Sequence, residues 1–221
     1  MERSVEGFIV IDTALKSPLP LPAVVISGHI RLSNVTNVIL DHDLAATLIL
    51  RHLAGLGHKR IVFMKGQPFS SDSAERWRAI QQAAPRLGLK IFPELTIQLT
   101  MNTFSPEVGY PVMRHFLKKR REFTALVAYN DFSAIGAVRS LREAGLRVPE
   151  DVSVVGFDDV NSAAYQNPGL TTIRQPLQKM AHIAAQTLLD RLNNKHIPKE
   201  ILVDPELVIR ESTGLCQHRN A

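Results

Sequence analysis

Short β-branched, apolar runs alternate with helical hydrophobic periods along almost the whole chain, and this alternation constrains its fold more than any other feature. GFIVID (7–12), AVVISG (23–28), IVFMKG (61–66), LTIQLT (95–100), ALVAYN (125–130) and VSVVGF (152–157) read as strands. Several are apolar throughout, as strands covered on both faces must be. Between them lie helix signals. Asp41 can cap a helix through Ala45, Leu48, Ile49 and His52 that stops at Gly57, and Asp72 or Ser73 can open another through Trp77, Ile80 and Ala84 to Gly88. Ser105 followed by Pro106 and Glu107 is a cap with proline at the first helical position, and Pro111 inside that helix should kink it at up to about 3 kcal/mol. Asp131 begins FSAIGAVRSLREAG, which ends at Gly145, and Pro176 opens a last long helix.

Strand and helix in strict alternation predict an α/β protein with parallel, doubly wound sheets and right-handed crossovers. Ligands in such sheets sit beyond the carboxyl ends of the strands. The positions to weigh are therefore Ser27, the loop 67–72, residues 102–105, Asn130 with Asp131, and Asp158 with Asp159.

Composition narrows the function classes. At 221 residues, 45% apolar and 21% charged, the chain has the make-up of a globular protein. Cys216 is its only cysteine, so an intramolecular disulfide and a cysteine-based zinc site are excluded. No apolar run approaches the 18 or more residues of a membrane span, and MERSVE (1–6) lacks a signal-peptide pattern. The formal charge of +5 is compatible with a nucleic-acid partner, but the only dense basic run, Lys118, Lys119, Arg120 and Arg121, ends a predicted helix where cations suit the dipole.

Each candidate binding residue has a plainer alternative. Asp158 and Asp159 follow a strand directly, where their carboxylates can accept hydrogen bonds from ligand hydroxyls or cap the next turn. Asn130 can donate and accept at once, or cap the following helix, for which Asp131 is the better candidate. Arg76 lies one turn into a helix, and its fork can hold two adjacent oxygens or simply face solvent. Phe104 is either a hydrophobic staple or a platform for a flat ring. Catalysis has no candidate: G-x-S-x-G, H-E-x-x-H, the P-loop and C-x-x-C are all missing. Asp41, His42 and Asp43 are consecutive helix-start residues that point in different directions, and His52 and His58 lack ligand spacing, so no metal or other cofactor is expected.

GHKRIVFMKG (57–66), AERWRAI (74–80), TFSPEVGY (103–110), AYNDFSAIGAVRSLREAGLRVPEDVSVVGFDD (128–159), PGLTTIRQPLQKMAHIAAQTLL (168–189) and PELVIREST (205–213) occur in order with family-like spacing. Together they resemble the effector-binding core of the LacI family of transcriptional regulators. The resemblance implies a fold like that of a periplasmic sugar-binding protein, with two doubly wound lobes joined by three crossings and the effector between them. It places 1–40 and 176–198 in an incomplete N-terminal lobe, 41–175 and 199–214 in a C-terminal lobe, and leaves 215–221 as a tail.

The resemblance also implies roles. Arg76 matches an arginine that grips effector, Phe104 an aromatic that packs on its ring, Asn130 and Asp158 a polar pair at the cleft, and Gln175 a glutamine at the lobe crossing. Ser27 stands where many members carry an aspartate. Ile135 and Tyr165 are the candidates for a homodimer interface. The implied partner is a small-molecule effector, a sugar or derivative, with a purine as the alternative chemistry. The implied location is the cytoplasm. Members begin with a helix-turn-helix headpiece, a hinge helix and two strand-helix units, and none of these precedes Met1, so operator DNA is expected to be reached only through a headpiece outside this chain. The rival class is an exported sugar-binding protein of a transporter, against which LTTIRQP and LRVPEDVSVVGFDD stand.

Overall fold

The computed structural model describes residues 5–11, 17, 19–101, 103, 105–119 and 122–217. Phe104, Asn102, Arg120 and Arg121 lie outside the described residues. The chain divides into two units, Met1–Asp41 with Pro176–Pro205, and His42–Gln175 with Glu206–Ala221.

The first unit holds a parallel sheet of β1 (Phe8–Ile11), β2 (Ala23–Ile26), β3 (Val35–Leu40) and β9 (Glu200–Val203), in that order. Helix α6 (Leu177–Leu192) packs against β1, β2 and β3. Strands β2 and β3 are buried along their full length, while edge strand β1 leaves Ile9 and Ile11 exposed. Strand β3 is absent from the strands read in the sequence because Thr36 and Asn37 interrupt its apolar run. Burial of Asn37 is tolerated because its amide accepts from Ile30 N at 3.0 Å and donates to Ile30 O at 2.8 Å, so neither polar atom is stranded. Strand β9 corrects the expected boundary: residues 200–203, assigned by sequence to the C-terminal lobe, pair with β3 in the first unit.

The second unit is a six-stranded sheet of β4 (Ile61–Lys65), β5 (Thr96–Gln98), β6 (Ala125–Val127), β7 (Ser153–Asp158), β8 (Thr171–Arg174) and β10 (Glu206–Val208), ordered β10-β8-β7-β6-β4-β5. All pairs are parallel except β8 with β10. Helices α1 (His42–Gly55) and α2 (Ser71–Arg86) pack together, as do α3 (Tyr110–Leu117) and α4 (Asp131–Glu143); α5 (Asn161–Ala164) is a single turn. Strand alternation serves both layers. Val62, Leu126 and Val154 share a core with Met113, Ala134 and Leu141 of α3 and α4, while the Phe63 ring meets Trp77 of α2 edge-on at 6.0 Å.

The helix signals are partly relocated. Ser105 accepts from Glu107 N, but the helix it opens is a 3-10 turn, Pro106–Val108, and α3 starts afresh after Gly109. Pro111 therefore falls in the first turn of α3, where its missing N–H costs no helical bond, and the predicted kink does not arise. Gly109 is forced by proximity, since a Cβ there would overlap the Ser133 backbone. Lys118 ends α3 as a C-cap, as expected for the described part of the basic run.

Candidate functional site

The candidate site lies at the carboxyl ends of β4, β6, β7 and β8 in the second unit. Helix α2 is capped by Ser70, whose side chain accepts from Ser73 N at 3.4 Å, so neither Asp72 nor Ser73 opens it. Asp72 instead lies in the first turn and reaches one turn on to Arg76, with Oδ2 3.4 Å from its NH2. Arg76 NH1 donates to the Tyr129 carbonyl at 3.1 Å. Its guanidinium lies 3.8 Å from the centroid of the Phe157 ring and 4.9 Å from that of Tyr129. Gly66 makes room for this stack, because a Cβ there would run into the Tyr129 ring. Burial opposes the charge on Arg76, yet Tyr129, Asp158 and Asp72 outweigh it and hold its pKa above the usual arginine value.

Asp158 ends β7 with φ 112°, a left-handed conformation that an L-residue adopts at a cost. Its Oδ1 accepts from Gln175 Nε2 at 2.7 Å and lies 3.7 Å from Arg76 NH2. The structure thus brings Arg76, Asp158 and Gln175 into one cluster. Asp159, at φ 55°, has a different task. Its carboxylate is held by Arg210 at 2.6 Å and Arg174 at 2.7 Å; burial would raise its pKa, but the two arginines keep it below the ordinary aspartate value.

Asn130 is the true cap of α4. Its Oδ1 accepts from Ser133 N at 2.9 Å and the Ser133 hydroxyl accepts from Asn130 N at 3.0 Å, a reciprocal capping box. The expectation that Asp131 is the cap is corrected. Asp131 is fully buried, accepting from Thr172 Oγ1 at 2.6 Å and Val160 N at 2.8 Å, and it braces the segment that follows Asp158 and Asp159. Burial, aided by those two carboxylates, raises its pKa to about 7 against the lowering effect of the two hydrogen bonds.

Ser27 directly follows β2 in the first unit at φ 55°, its N–H donating to Val38 O at 3.1 Å. Ile135 is half-buried on α4 and packs against the core of its own unit, while Tyr165 is 87% exposed. A cavity of about 30 Å³ lies behind Arg76, bordered by Ile49, Met64, Trp77 and Phe157. It has room for roughly one water, so it is packing space rather than a ligand site. Two roles escape sequence reasoning. Asp72 falls in the loop 67–72 at a strand mouth and reads as a cap, but its pairing with Arg76, for which the i,i+4 spacing is a usable signal, does not emerge; the brace role of Asp131 depends on Thr172, 41 residues away, and has no local signal.

A sheet whose strand ends gather a stacked arginine, an oriented carboxylate and a glutamine amide has the polar groups with which a protein can hold a small polar molecule. The family model for a periplasmic binding protein-like domain matches residues 50–213. The chain is 35% identical over 182 residues to the HTH-type transcriptional repressor PurR of Haemophilus influenzae, spanning 80% of this chain and about half (53%) of that relative's length. Among solved structures, the Escherichia coli transcriptional repressor ascG is 30% identical, covers 89% of this chain and 70% of its own, and superposes with a TM-score of 0.76. A LacI family regulator from Enterococcus faecium with bound ribose is 27% identical, with coverage of 96% and 81% and a TM-score of 0.81. The chain belongs to the LacI family of transcriptional regulators and corresponds to their effector-binding core, not to a transporter's binding protein. The relatives named are regulators rather than enzymes. Among the described residues no helix is long and apolar enough to cross a membrane.

Proposed function

We propose that this chain senses a small hydroxyl-rich effector, a sugar or sugar derivative, at the cluster of Arg76, Asp158 and Gln175, and that occupancy changes operator binding by the DNA-reading headpiece of the whole regulator. The observation that carries this reading is Asp158. A carboxylate that is 28% exposed, fixed by Gln175 and held in a costly backbone conformation at a strand mouth is set to accept hydrogen bonds from ligand hydroxyls. The ribose complex of the Enterococcus regulator supports a sugar as the ligand class. Asn130, whose oxygen serves as the α4 cap, offers its Nδ2 donor.

No chemistry on the effector is required. A ligand that favours one arrangement of the regulator over another shifts the population between them by its difference in affinity, and operator affinity follows by linkage. The regulator acts as a homodimer, with Tyr165 in the self-interface and Ile135 supporting it from α4.

Thermal-unfolding scans against sugars, sugar phosphates and purines test the reading. A ligand at about 100 times its dissociation constant adds roughly 2.7 kcal/mol to the unfolding free energy. A shift with a sugar that disappears in Asp158→Ala supports the proposal, and a shift with purines alone reassigns the effector class.

A further inference from the structure

Arg76 is the one guanidinium of this cluster, and it meets two carboxylates: Asp72 Oδ2 at 3.4 Å and Asp158 Oδ1 at 3.7 Å from the same NH2. The two neighbours differ in exposure. Asp72 and Arg76 are each 11% exposed at the side chain, whereas Asp158 is 28% exposed, so the first pair forms the inner wall and Asp158 the outer face. The other terminal nitrogen, NH1, is drawn to the Tyr129 carbonyl, and the faces of the guanidinium lie against Phe157 and Tyr129. Its Nε is buried without a hydrogen-bond partner among the described residues. An arginine that grips a phosphate or carboxylate presents two parallel N–H groups to it. Here Asp72 already draws on NH2, the nitrogen that such a grip would share with either of its neighbours.

We propose that Asp72 sets the charge preference of this site: its i,i+4 ion pair turns the Arg76 guanidinium toward the protein, so that the site admits uncharged, hydroxyl-rich ligands and turns away phosphate- and carboxylate-bearing ones. The inference rests on the effector reading above and adds a selection rule to it. The wider surroundings agree. Asp131 lies behind Asp158 and adds negative charge as it ionises. Asp159, Arg174 and Arg210 satisfy one another. Lys65 holds its ammonium over the Trp77 ring at 5.5 Å. His42 Nε2 lies 3.7 Å from Asp72 Oδ1, and a protonated imidazole there would offset part of the negative charge. An anion entering the cluster meets two carboxylates for one arginine, and in a partly desolvated site such like-charge contacts weigh against binding.

The test uses the full chain at pH 8. The probe is inorganic phosphate in thermal-unfolding scans, against sodium chloride of equal ionic strength. The wild-type chain is expected to show no phosphate-specific shift. Asp72→Asn should acquire one, and the double variant Asp72→Asn with Arg76→Gln should lose it again; Asp72→Ser serves the same purpose if the asparagine variant does not fold. An equal shift in the wild type, no shift in the Asp72 variants, or a shift that survives removal of Arg76 overturns the proposal. Ribose and ribose 5-phosphate provide a parallel measurement on the wild type, in which the phosphate ester should bind roughly tenfold or more weakly; tighter binding of the ester also overturns the proposal. If no sugar binds while loss of Asp72 still creates Arg76-dependent phosphate binding, the effector reading fails and the charge assignment stands.

Discussion

Gln175 Nε2 donates to Asp158 Oδ1 across 2.7 Å, tying the segment that leaves β8 to the end of its neighbour β7. A side-chain amide thereby orients the most exposed acceptor of the site. Asp158→Ala removes that acceptor without opening the core, and the effector-induced thermal shift should vanish while the unliganded unfolding free energy changes by no more than about 1 kcal/mol. Gln175→Ala should weaken binding by up to about 1.5 to 3 kcal/mol, the range for a hydrogen bond to a charged group. Calorimetric titration of both variants with the effector checks this; unchanged affinity in Asp158→Ala would remove it from the site.

Asp131 predicts a stability that falls as pH rises. Its folded-state pKa of about 7 lies above the ordinary value of 3.8, so between these the native chain holds a proton that the unfolded chain has released. The folded state is favoured at the acidic end of that window and pays progressively up to pH 7, by up to about 4 kcal/mol at 1.36 kcal/mol per unit. Asp131→Asn should flatten this component in urea-unfolding free energies measured between pH 4 and pH 8. An identical slope in the variant would reject the assignment.

His58 acts in the opposite direction. Burial lowers its pKa and His52 adds to this, against the raising effect of its bond to Gly214 O. The stability that depends on a neutral ring is fully present above the unfolded value near 6.5 and is lost as pH falls below it. His58 is bonded to Thr124 and Gly214, and His52 to Thr213, so acidification should first loosen the segment near 213–216 that these rings hold. Protection of the Cys216 amide relative to its intrinsic exchange rate, set by its N–H bond to Leu56 O, should fall below pH 6 in the wild type and be low at all pH values in His58→Ala.

Tyr165 is 87% exposed, so Tyr165→Asp leaves the folded unit intact while placing a charge in the proposed self-interface. Sedimentation should show dimer weakening by about 2 kcal/mol, roughly thirtyfold. Ile135 packs against the core of its own unit, so Ile135→Asp confounds dimer loss with unfolding and is the poorer probe. A Tyr165→Asp chain that sediments as the wild type does would move the interface elsewhere.

Hydrogen exchange should separate the two sheets. Strand β7 is paired on both sides, by β6 and β8, and is buried along most of its length, whereas among the described residues β1 pairs with β2 alone and alternates in exposure. Amides 153–158 should outlast amides 8–11 by at least tenfold. Equal protection would mean that β1 is covered by contacts beyond those described.

The alternation of apolar runs with helical periods determined the α/β class and the parallel sheets, because a strand buried on both faces must be apolar throughout and a crossover helix must show one apolar face. It also determined where to look, since strand ends are legible once strands are. Asp158 is legible as a strand end and Arg76 as an arginine one turn into a helix, whereas Gln175 is implied only by the family resemblance; the three stand together in the structure. What only tertiary structure decided was how each polar group is used. Asn130 and Asp131 are adjacent and equally fit to cap a helix; the choice fell to Asn130 because Thr172 and Val160, distant in sequence, claim the Asp131 carboxylate. Strand β3 stayed hidden because Asn37 breaks its pattern, and its burial is affordable only through Ile30. Hydrophobic periodicity is a local property that survives in one dimension, whereas a hydrogen bond needs two partners, and the partner is chosen by the fold.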